Sequence, residues 1–284
     1  MAVRDAPHIA LIGGGYTLQR VAERLNPGTF VITSRDDETC AAWRSRGWLA
    51  YQLSIEDVEG VKRLIAKYPS LREFVDSVPP LRGVSDPAIG ARALATVVGK
   101  IVDARVIYLS TTGVFGVRDG SVVNEDTPPA PWNSQGEARW LSEEAYQESG
   151  VSLTALRLPA IYGPDRGVLF SLRAGTYRIV DSGDNWTNRI HVDDLALIIE
   201  RVLARRPLPR VLCVSDDQPT RARDVAEFVC AREGLPFPNS ISSSEVLKAG
   251  AYTMLSNQRI DNSLMKRVLD ISLRYPSFRE AFYS

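Results

Sequence analysis

The sequence has few cysteines, few histidines and no net charge. Its three cysteines are far apart and its two histidines are isolated: Cys40, Cys213 and Cys230, and His8 and His191. No CxxC or HxxxH spacing occurs, so the sequence predicts neither a metal site nor a disulfide scaffold. Lys and Arg number 34, as do Asp and Glu, which gives no electrostatic reason to expect nucleic acid or an anionic membrane as a partner.

No stretch of apolar residues approaches the roughly 20 that a membrane-spanning helix needs. The first seven residues include Arg4 and Asp5, and no apolar run comes before residues 9–12, so no signal peptide is expected. These absences favour a cytoplasmic protein with no membrane partner. A chain of 284 residues is long enough to bury a full hydrophobic core without covalent or metal staples.

Short apolar segments alternate with helical patterns through the first half of the chain. The predicted strands cover residues 8–12, 29–33, 48–53, 73–78 and 105–110, and the predicted helices cover 16–25, 40–46, 55–68 and 87–104. Apolar strands separated by helices are typical of a parallel sheet covered on both faces. The sequence therefore predicts an α/β fold with a doubly wound parallel sheet of the Rossmann type.

The second half of the chain is less regular. It contains predicted helices at 134–148, 192–205 and 220–232, and predicted strands at 153–158 and 210–214. We predict a dinucleotide-binding Rossmann domain and a smaller, C-terminal substrate-binding cap. The first covers 1–165 and is completed by about 187–218, and the cap is formed by 166–186 and 219–284.

A glycine-rich segment, Gly13-Gly14-Gly15-Tyr16-Thr17-Leu18, joins the first predicted strand to the first predicted helix. In G-x-G-x-x-G loops the first glycine permits a tight turn, and the second lets the backbone approach a pyrophosphate at the helix N-terminus. Leu18 stands where the third glycine would be. We assign Gly13, Gly15, Tyr16, Thr17 and Leu18 to cofactor binding. The alternative is a glycine-rich turn that binds nothing.

The end of the second predicted strand indicates which dinucleotide is bound. An acidic residue at this place usually accepts hydrogen bonds from the ribose hydroxyls of NAD. This strand ends instead in Ser34 and Arg35, whose hydroxyl and planar guanidinium suit a 2′-phosphate. The sequence favours NADP, and Asp36, which comes next, leaves NAD as the alternative.

Several motifs occur in an order that resembles the extended short-chain dehydrogenase/reductase family, which contains NAD-dependent epimerases and dehydratases. Besides the glycine loop, the matching segments cover residues 110–116, 125–131, 157–164, 188–196 and 214–220. The chain is most similar to an atypical branch of that family. The resemblance implies a Rossmann fold, a nucleotide cofactor, a small-molecule substrate and a homodimer formed by the helices at 87–104 and 135–148.

The resemblance also implies roles for individual residues. Thr111 would hydrogen-bond the reacting oxygen of the substrate, the alternative being a hydroxyl that only satisfies the backbone at a strand end. Cofactor contacts are expected after the fourth strand and along the nicotinamide, from Asp76, Ser77, Val78, Pro79, Pro159 and Ile161. Substrate contacts are expected from Thr112, Gly113, Arg173, Arg178 and Arg189. The three arginines suit a carboxylate or phosphate, and ordinary surface positions are the alternative for them.

The family's catalytic Tyr-x-x-x-Lys pair is absent from its expected place. Gln135 occupies the tyrosine position and Arg139 the lysine position. A glutamine amide is neither an acid nor a base near neutral pH, and an arginine stays protonated. Thr112 and Gly113 stand where dehydratases of the family carry an acid pair, which argues against dehydration of a sugar nucleotide by that route. We assign Thr111, Gln135 and Arg139 to the catalytic site.

Two functions remain open at this point. The first is an oxidoreductase or epimerase-like enzyme that binds NAD(P) and acts on a small polar substrate, with the proton supplied by water, Thr111 or an unassigned residue. The second is a non-catalytic NADP(H)-binding sensor or scaffold, because such a protein would lose the Tyr-Lys pair and keep the cofactor loop. Thr111 and the segment 189–191 favour the enzyme. Within that segment, His191 is expected to organise a helix start rather than take part in chemistry.

Overall fold

The structure is a computed structural model that describes residues 6–282; Arg4 and Asp5, on which the signal-peptide prediction rests, lie outside the described residues. The strands are β1 (Ile9–Ile12), β2 (Phe30–Ser34), β3 (Leu49–Gln52), β4 (Glu73–Asp76), β5 (Arg105–Thr111), β6 (Val122–Val123), β7 (Ser152–Leu158), β8 (Ala160–Tyr162), β9 (Ile179–Val180), β10 (Trp186–Thr187), β11 (Arg189–His191), β12 (Val211–Cys213), β13 (Thr220–Arg221), β14 (Ser240–Ile241) and β15 (Arg259–Ile260). The α-helices are α1 (Tyr16–Ala22), α2 (Asp37–Ser45), α3 (Val58–Lys67), α4 (Ile89–Val98), α5 (Ser134–Glu148), α6 (Val168–Arg173), α7 (Val192–Leu203), α8 (Ala222–Glu233), α9 (Ser243–Lys248) and α10 (Ser263–Leu269).

Seven of the strands form one sheet, in the order β12-β7-β5-β4-β1-β2-β3. β1 pairs in parallel with β2 and with β4, β2 pairs in parallel with β3, and β4 does so with β5. The chain therefore starts in the middle of the sheet, winds outward to β3 and then crosses to β4 on the other side. This topology confirms the predicted α/β fold with a doubly wound, Rossmann-type sheet.

The winding of the sheet reverses between β1 and β4. Doubly wound folds bind their ligands at the carboxyl ends of the strands where the order reverses. The segments that leave those two ends are residues 13–15 after β1 and 77–79 after β4. The strand register sets Ile12 beside Asp76, so both segments start at the same level of the sheet.

Strands β1, β4 and β5 pack against α3, α4 and α5 in one buried apolar cluster. Leu64 of α3, Leu94 of α4 and Tyr146 of α5 are fully buried, which shows the face that each helix turns to the sheet. Burying one large apolar side chain stabilises a fold by about 1.5–3 kcal/mol relative to leaving it exposed. This cluster therefore holds the strand ends of the candidate site in place.

The chain divides into two compact units. The first comprises the described residues up to Ser110 together with Glu137–Leu156 and Ala196–Leu212, and the second comprises Thr111–Gly136, Arg157–Leu195 and the described residues from Cys213 onward. The domain division drawn from the sequence, with its boundary between 165 and 166, stays a prediction.

The second unit is built from short strand pairs. β8 pairs in parallel with β11, β9 with β14 and β6 with β15, whereas β10 and β13 are antiparallel. A separate apolar cluster in this unit contains Val225 and Val229 of α8 together with Phe278.

Helix boundaries follow local capping chemistry. α5 covers Ser134–Glu148, as the sequence predicts. The helix predicted at 87–104 is the shorter α4, which ends where Gly99 follows it. The helix predicted at 40–46 begins earlier than expected, because the Asp36 side chain caps α2 ahead of its first residue.

Among residues 6–282, no helix combines the length and the apolar character that crossing a membrane requires. The same residues contain no group of three or more His, Cys, Asp or Glu side chains placed to hold a metal ion. All three cysteines are buried, and no disulfide joins any two of them. The homodimer through α4 and α5 stays a prediction.

Candidate functional site

The turn after β1 depends on two glycines for its packing. Gly13 has φ +80°, a conformation that favours glycine, and its N–H donates to Thr33 Oγ1 at 3.1 Å. A Cβ on Gly13 would lie 2.7 Å from Val78 Cγ2, and a Cβ on Gly14 would lie 2.4 Å from the Trp43 ring. Since Cβ atoms do not approach other atoms that closely, the fold itself requires both glycines.

Gly15 differs from its neighbours because the fold does not require it. Its φ is −78°, and a Cβ on it would have only the Gly13 carbonyl oxygen within reach, at 4.0 Å. Gly15 is exposed at the N-terminus of α1, where backbone N–H groups have no acceptor inside the helix. The absence of a side chain leaves this N-terminus uncovered, which is the space that a pyrophosphate needs.

Tyr16, Thr17 and Leu18 form the first turn of α1. Thr17 and Leu18 are buried, Leu18 completely, so the two side chains belong to the core and only their backbone can face a ligand. Tyr16 is half-buried. The helix therefore accommodates a leucine at the position of the third glycine by burying it.

The three residues predicted to select the cofactor have different surroundings. Asp36 Oδ2 accepts from the Thr39 N–H at 2.8 Å, Asp36 Oδ1 accepts from the Glu38 N–H at 3.3 Å, and the Thr39 hydroxyl also donates to Asp36. The Thr39 hydroxyl is the main reason that the pKa of Asp36 lies below its ordinary value. Arg35 is exposed, and no described residue accepts a hydrogen bond from its guanidinium. Asp36 is thus a helix cap, and Arg35 and Ser34 are the residues with side chains to offer a phosphate.

The residues after β4 shape the turn that faces the glycine loop. Asp76 is buried, and it accepts from the Tyr146 hydroxyl at 2.6 Å and from the Val78 N–H at 2.9 Å. Burial raises the pKa of Asp76 to about 6, against these two hydrogen bonds, which lower it. Ser77 Oγ donates to the Gly13 carbonyl at 2.6 Å. The Asp76 and Ser77 side chains therefore hold the turn together and have protein partners of their own.

Arg139 is fixed at the carboxyl ends of β4 and β5. Its Nη1 donates to the carbonyls of Leu109 at 3.0 Å and Val78 at 3.4 Å, and to the Tyr108 hydroxyl at 3.1 Å. Burial raises the pKa of Tyr108, so this phenol stays neutral. All three bonds use one nitrogen of the guanidinium, which leaves Nε and Nη2 for other acceptors. Pro79, which follows Val78, is exposed.

Thr111 and Thr112, in the second unit, have opposite environments. Thr111 Oγ1 accepts from the Gly113 N–H at 3.2 Å, as the backbone-satisfying alternative predicts. That bond uses the oxygen as an acceptor, and no described residue accepts the hydroxyl proton. Thr112 is buried, and its carbonyl accepts from Gln258 Nε2 at 3.0 Å. Thr111 can therefore donate to a ligand, whereas the Thr112 side chain belongs to the interior.

The first turn of α5 comes very close to Gly113. Asn133 Oδ1 caps the helix by accepting from the N–H groups of Gln135 and Gly136, each at 3.0 Å. A Cβ on Gly136 would lie 2.6 Å from the Gly113 carbonyl oxygen and 3.1 Å from Pro131 Cβ. Gly136 thus permits the close approach, and Gln135 lies half-buried next to it.

Pro159 joins β7 to β8, and Ile161 lies within β8. Ile161 pairs with Ile190 of β11, and both Pro159 and Ile161 are partly buried. Their predicted contact with a nicotinamide stays a prediction.

Two of the three arginines predicted to bind substrate have ordinary surface partners. Arg173 forms an ion pair with Glu233 at 2.5 Å. Arg178 donates to the carbonyls of Gly175 and Tyr177, each at 2.8 Å. Both arginines are exposed, so their contacts are those expected of ordinary surface residues.

Arg189 and His191 lie on β11 and are buried. Arg189 Nη2 donates to Thr187 Oγ1 at 2.5 Å. His191 Nδ1 accepts from the Asp193 N–H at 3.2 Å, and its ring centroid is 3.8 Å from that of Tyr275. The His191 side chain therefore organises the start of α7, as expected from the sequence.

The second unit also contains an open pocket of about 790 Å³. This volume is large enough for a small-molecule ligand. Its apolar lining includes Val180, Leu247, Met254 and Leu255. Its charged lining consists of Arg118, Asp119, Asp181 and Asp184.

Known proteins match this chain in sequence over part of its length. A family model described as the RmlD substrate binding domain matches residues 87–174. The N-acetyl-alpha-D-glucosaminyl-diphospho-ditrans,octacis-undecaprenol 4-epimerase of Escherichia coli O157:H7 is 24% identical over 162 residues, which cover 51% of this chain and 49% of that enzyme. The chain thus spans about half the length of this curated relative.

Solved structures match over nearly the whole chain. A conserved protein of unknown function from Silicibacter pomeroyi DSS is 28% identical, with a TM-score of 0.77 over 98% of this chain and 97% of that one. The dTDP-glucose 4,6-dehydratase of Bacillus anthracis str. Ames, in complex with NAD, is 15% identical, with a TM-score of 0.81 over 97% of this chain and 94% of that one. The chain therefore has the fold of this dehydratase and resembles the RmlD substrate binding domain over residues 87–174.

The geometry of the glycine loop after β1 fits a dinucleotide. Gly13 and Gly14 are explained by packing alone, so they do not separate a binding loop from an empty turn. Gly15 does distinguish a cofactor-binding loop from an empty turn, because its missing side chain leaves open space at a helix N-terminus. The exposed Arg35 at the end of β2 adds a cation that no described residue neutralises.

Sequence reasoning missed three residues that shape the site. Trp43 packs against Gly14, Asn133 caps α5, and Tyr146 holds the Asp76 carboxyl. Asn133 precedes the first residue of a predicted helix, which is a recognisable capping signal. Trp43 and Tyr146 gave no such signal, because their partners are distant in the sequence.

Proposed function

We propose that this protein is an enzyme that binds NAD(P) and transfers hydride to or from a small polar substrate, as an oxidoreductase or epimerase-like catalyst. The observation that carries the proposal is the open backbone at Gly15, at the switch point of a doubly wound sheet. The partial match to an epimerase and the likeness in fold to a dehydratase solved with NAD support it.

The cofactor would be held at three places in the first unit. The backbone around Gly15 faces the pyrophosphate, Ser34 and Arg35 face the 2′-phosphate of NADP, and Arg139 offers its remaining N–H groups to ribose hydroxyls. Arg35 favours NADP over NAD, because a guanidinium binds a phosphate through two parallel hydrogen bonds. Asp36 contributes little to this choice, since both of its oxygens already cap α2.

When bound, NAD(P) supplies a hydride donor or acceptor for a carbon of the substrate. Thr111 then donates its hydroxyl proton in a hydrogen bond to the reacting oxygen. Gln135 orients the substrate through its amide, and Arg139 keeps its proton throughout. The proton that accompanies the hydride comes from water or through Thr111. An already activated acceptor, such as an imine or a conjugated system, has the least need of a strong side-chain acid.

The Escherichia coli relative is named as an epimerase of an N-acetylglucosaminyl diphospholipid. We take from it the reaction class and a polar, sugar-like substrate. The half-length match supports no more than that, so the lipid part of that substrate is not carried over.

The test is the rate of NADPH oxidation over a panel of carbonyl and imine substrates. We expect the wild type to turn over at least one of them and Gln135→Ala to retain most of that rate. Losing a true general acid typically lowers a rate by ~10²–10⁴-fold. The double variant Gln135→Tyr with Arg139→Lys restores the family pair and should gain weak carbonyl reductase activity.

Two outcomes would contradict this account. A fall of about a thousandfold in Gln135→Ala would show that Gln135 takes part directly in the chemistry. Tight NADPH binding with no turnover of any substrate would favour the sensor instead.

A further inference from the structure

Three buried side-chain atoms have no hydrogen-bond partner among the described residues, and all three belong to the second unit. They are Arg189 Nη1, Asp216 Oδ2 and Gln258 Oε1. A buried charged group without a partner is far more costly than a buried neutral amide oxygen. The arginine and the aspartate therefore need an explanation first.

Arg189 is held on every side except at Nη1. Its Nη2 donates to Thr187 Oγ1 at 2.5 Å, and the Thr187 hydroxyl in turn donates to the Thr220 carbonyl at 2.7 Å. The Phe278 ring lies 5.1 Å from the guanidinium carbon and covers one face. The guanidinium is thus fixed in orientation, with one nitrogen offering N–H groups that no described residue accepts.

Asp216 lies beside Arg189 without forming an ion pair with it. The Asp216 N–H donates to the Arg189 carbonyl at 2.7 Å, so the two residues are neighbours on adjacent backbone segments. Asp216 is 1% exposed, and its Oδ1 accepts from the Gln218 N–H at 3.3 Å. Its Oδ2 has no partner among residues 6–282. The two groups are not in contact, but they are close enough to influence each other's pKa: burial raises the pKa of Asp216 to about 7, and Arg189 opposes that rise.

Partly buried aromatic and apolar side chains surround the pair. Tyr162 and Tyr177 are within electrostatic range of Arg189, and neither is fully buried. Burial raises the pKa of both phenols, so they stay neutral. Phe278 belongs to the apolar cluster that includes partly buried side chains of α6. Fixed polar groups beside a partly open apolar surface are typical of a ligand site.

The charges of the pair select the ligand group. A carboxylate that met Arg189 would be repelled by Asp216, and an ammonium group that met Asp216 would be repelled by Arg189. A neutral hydroxyl can accept from Nη1 or donate to Oδ2, so a ligand with several hydroxyls can satisfy both orphaned atoms. We propose that Arg189 and Asp216 form a binding site for a hydroxyl group of a neutral, polyhydroxylated ligand. This differs from the expectation that Arg189 meets a carboxylate or phosphate.

The proposal rests on the proposed function only in treating the ligand as the substrate. Binding at this site needs neither cofactor nor turnover, so it can be measured separately. NADPH binding measured on the same preparation distinguishes a failure of the hydroxyl site from a failure of the cofactor site.

The experiment compares three probes that share one carbon skeleton: D-glucitol, D-gluconate and 1-amino-1-deoxy-D-glucitol. They differ only in carrying a terminal hydroxyl, carboxylate or ammonium group. Binding is measured by ligand-observed NMR titration for the wild type, Arg189→Met and Asp216→Asn, with Arg63→Met as a control on an exposed arginine that pairs with Asp57. The wild type should bind glucitol about tenfold more tightly than either charged probe.

The two variants should each change which probe binds most tightly, one towards the carboxylate and the other towards the amine. Asp216→Asn leaves a lone cation, so gluconate should become the best probe, and Arg189→Met leaves a lone anion, so the amine should. Arg63→Met should keep the wild-type order. The same order in all four proteins, or no probe binding to the wild type because a structural water bridges the pair, would overturn the proposal. The wild-type order decides the question if either core variant fails to fold.

Discussion

Single residues at the cofactor site separate into those that hold the fold and those that face a ligand. Gly13 and Gly14 are required by packing, and Asp36 and Asp76 have protein partners for both of their oxygens. No such structural role is seen for Gly15, for Arg35 or for the Nε and Nη2 atoms of Arg139. Because these groups have no structural role in the protein, they are the best candidates for contact with the cofactor.

Arg35→Ala should remove the preference for NADPH over NADH. The exposed guanidinium is the cation at the end of β2, and losing a charge-assisted phosphate contact should weaken NADPH binding by about 1.5–3 kcal/mol. NADH has no 2′-phosphate, so its affinity should change little. Calorimetric titration of both cofactors measures this.

Arg63→Ala is the matched control, because Arg63 is an exposed arginine of α3 paired with Asp57. Equal affinity of the wild type for the two cofactors, or an unchanged preference in Arg35→Ala, would rule out Arg35 as the phosphate ligand.

At the scale of elements, the sequence predicted the positions of strands and helices better than the contacts that individual side chains make. The apolar strands and the helix at 134–148 were recognised because their signals are local. Asp36 was the alternative ribose ligand, and its carboxylate caps α2. Asp76 was expected near the cofactor, and the sequence did not reveal that its carboxylate accepts from Tyr146, 70 residues away. Such long-range partners leave no periodic signal in the sequence.

Asn133→Ala should destabilise the start of α5. The side chain accepts from two backbone N–H groups of the first turn, and losing such a cap typically lowers the free energy of unfolding by about 1 kcal/mol. Urea denaturation of the two proteins measures the difference. Asn133→Asp keeps an acceptor at the same place and should stay close to the wild type; equal loss in both variants would show that the cap is not the cause.

At the scale of the whole sheet, the carboxyl ends and the amino ends of the strands have different roles. The carboxyl edge carries the glycine loop and the residues after β4. The amino edge of the first unit carries a buried network in which Arg105 contacts Glu73 at 2.8 Å and donates to the carbonyls of Val202, Leu203 and Arg205. Stability and cofactor binding should therefore respond to different substitutions.

Arg105→Met should lower the free energy of unfolding strongly and leave NADPH affinity unchanged. It leaves Glu73 and three carbonyls without their buried donor, which should cost about 3 kcal/mol. Arg206 contacts the same carboxylate from a more exposed position, so Arg206→Met should cost less than about 1 kcal/mol. Denaturation and calorimetry on the same samples test both halves; a matching loss of NADPH affinity in folded Arg105→Met would refute the separation of the two edges.

The central claim is that the backbone at Gly15 receives the cofactor pyrophosphate. The most direct measurement is calorimetric titration of NADPH into the wild type and Gly15→Val, with circular dichroism of both proteins as the folding check. A Cβ added at this position meets open space in the fold, whereas a bound pyrophosphate would leave no room for a branched side chain. The account predicts that the wild type binds NADPH and that Gly15→Val is folded and does not bind. A folded Gly15→Val that binds NADPH with wild-type affinity would contradict it.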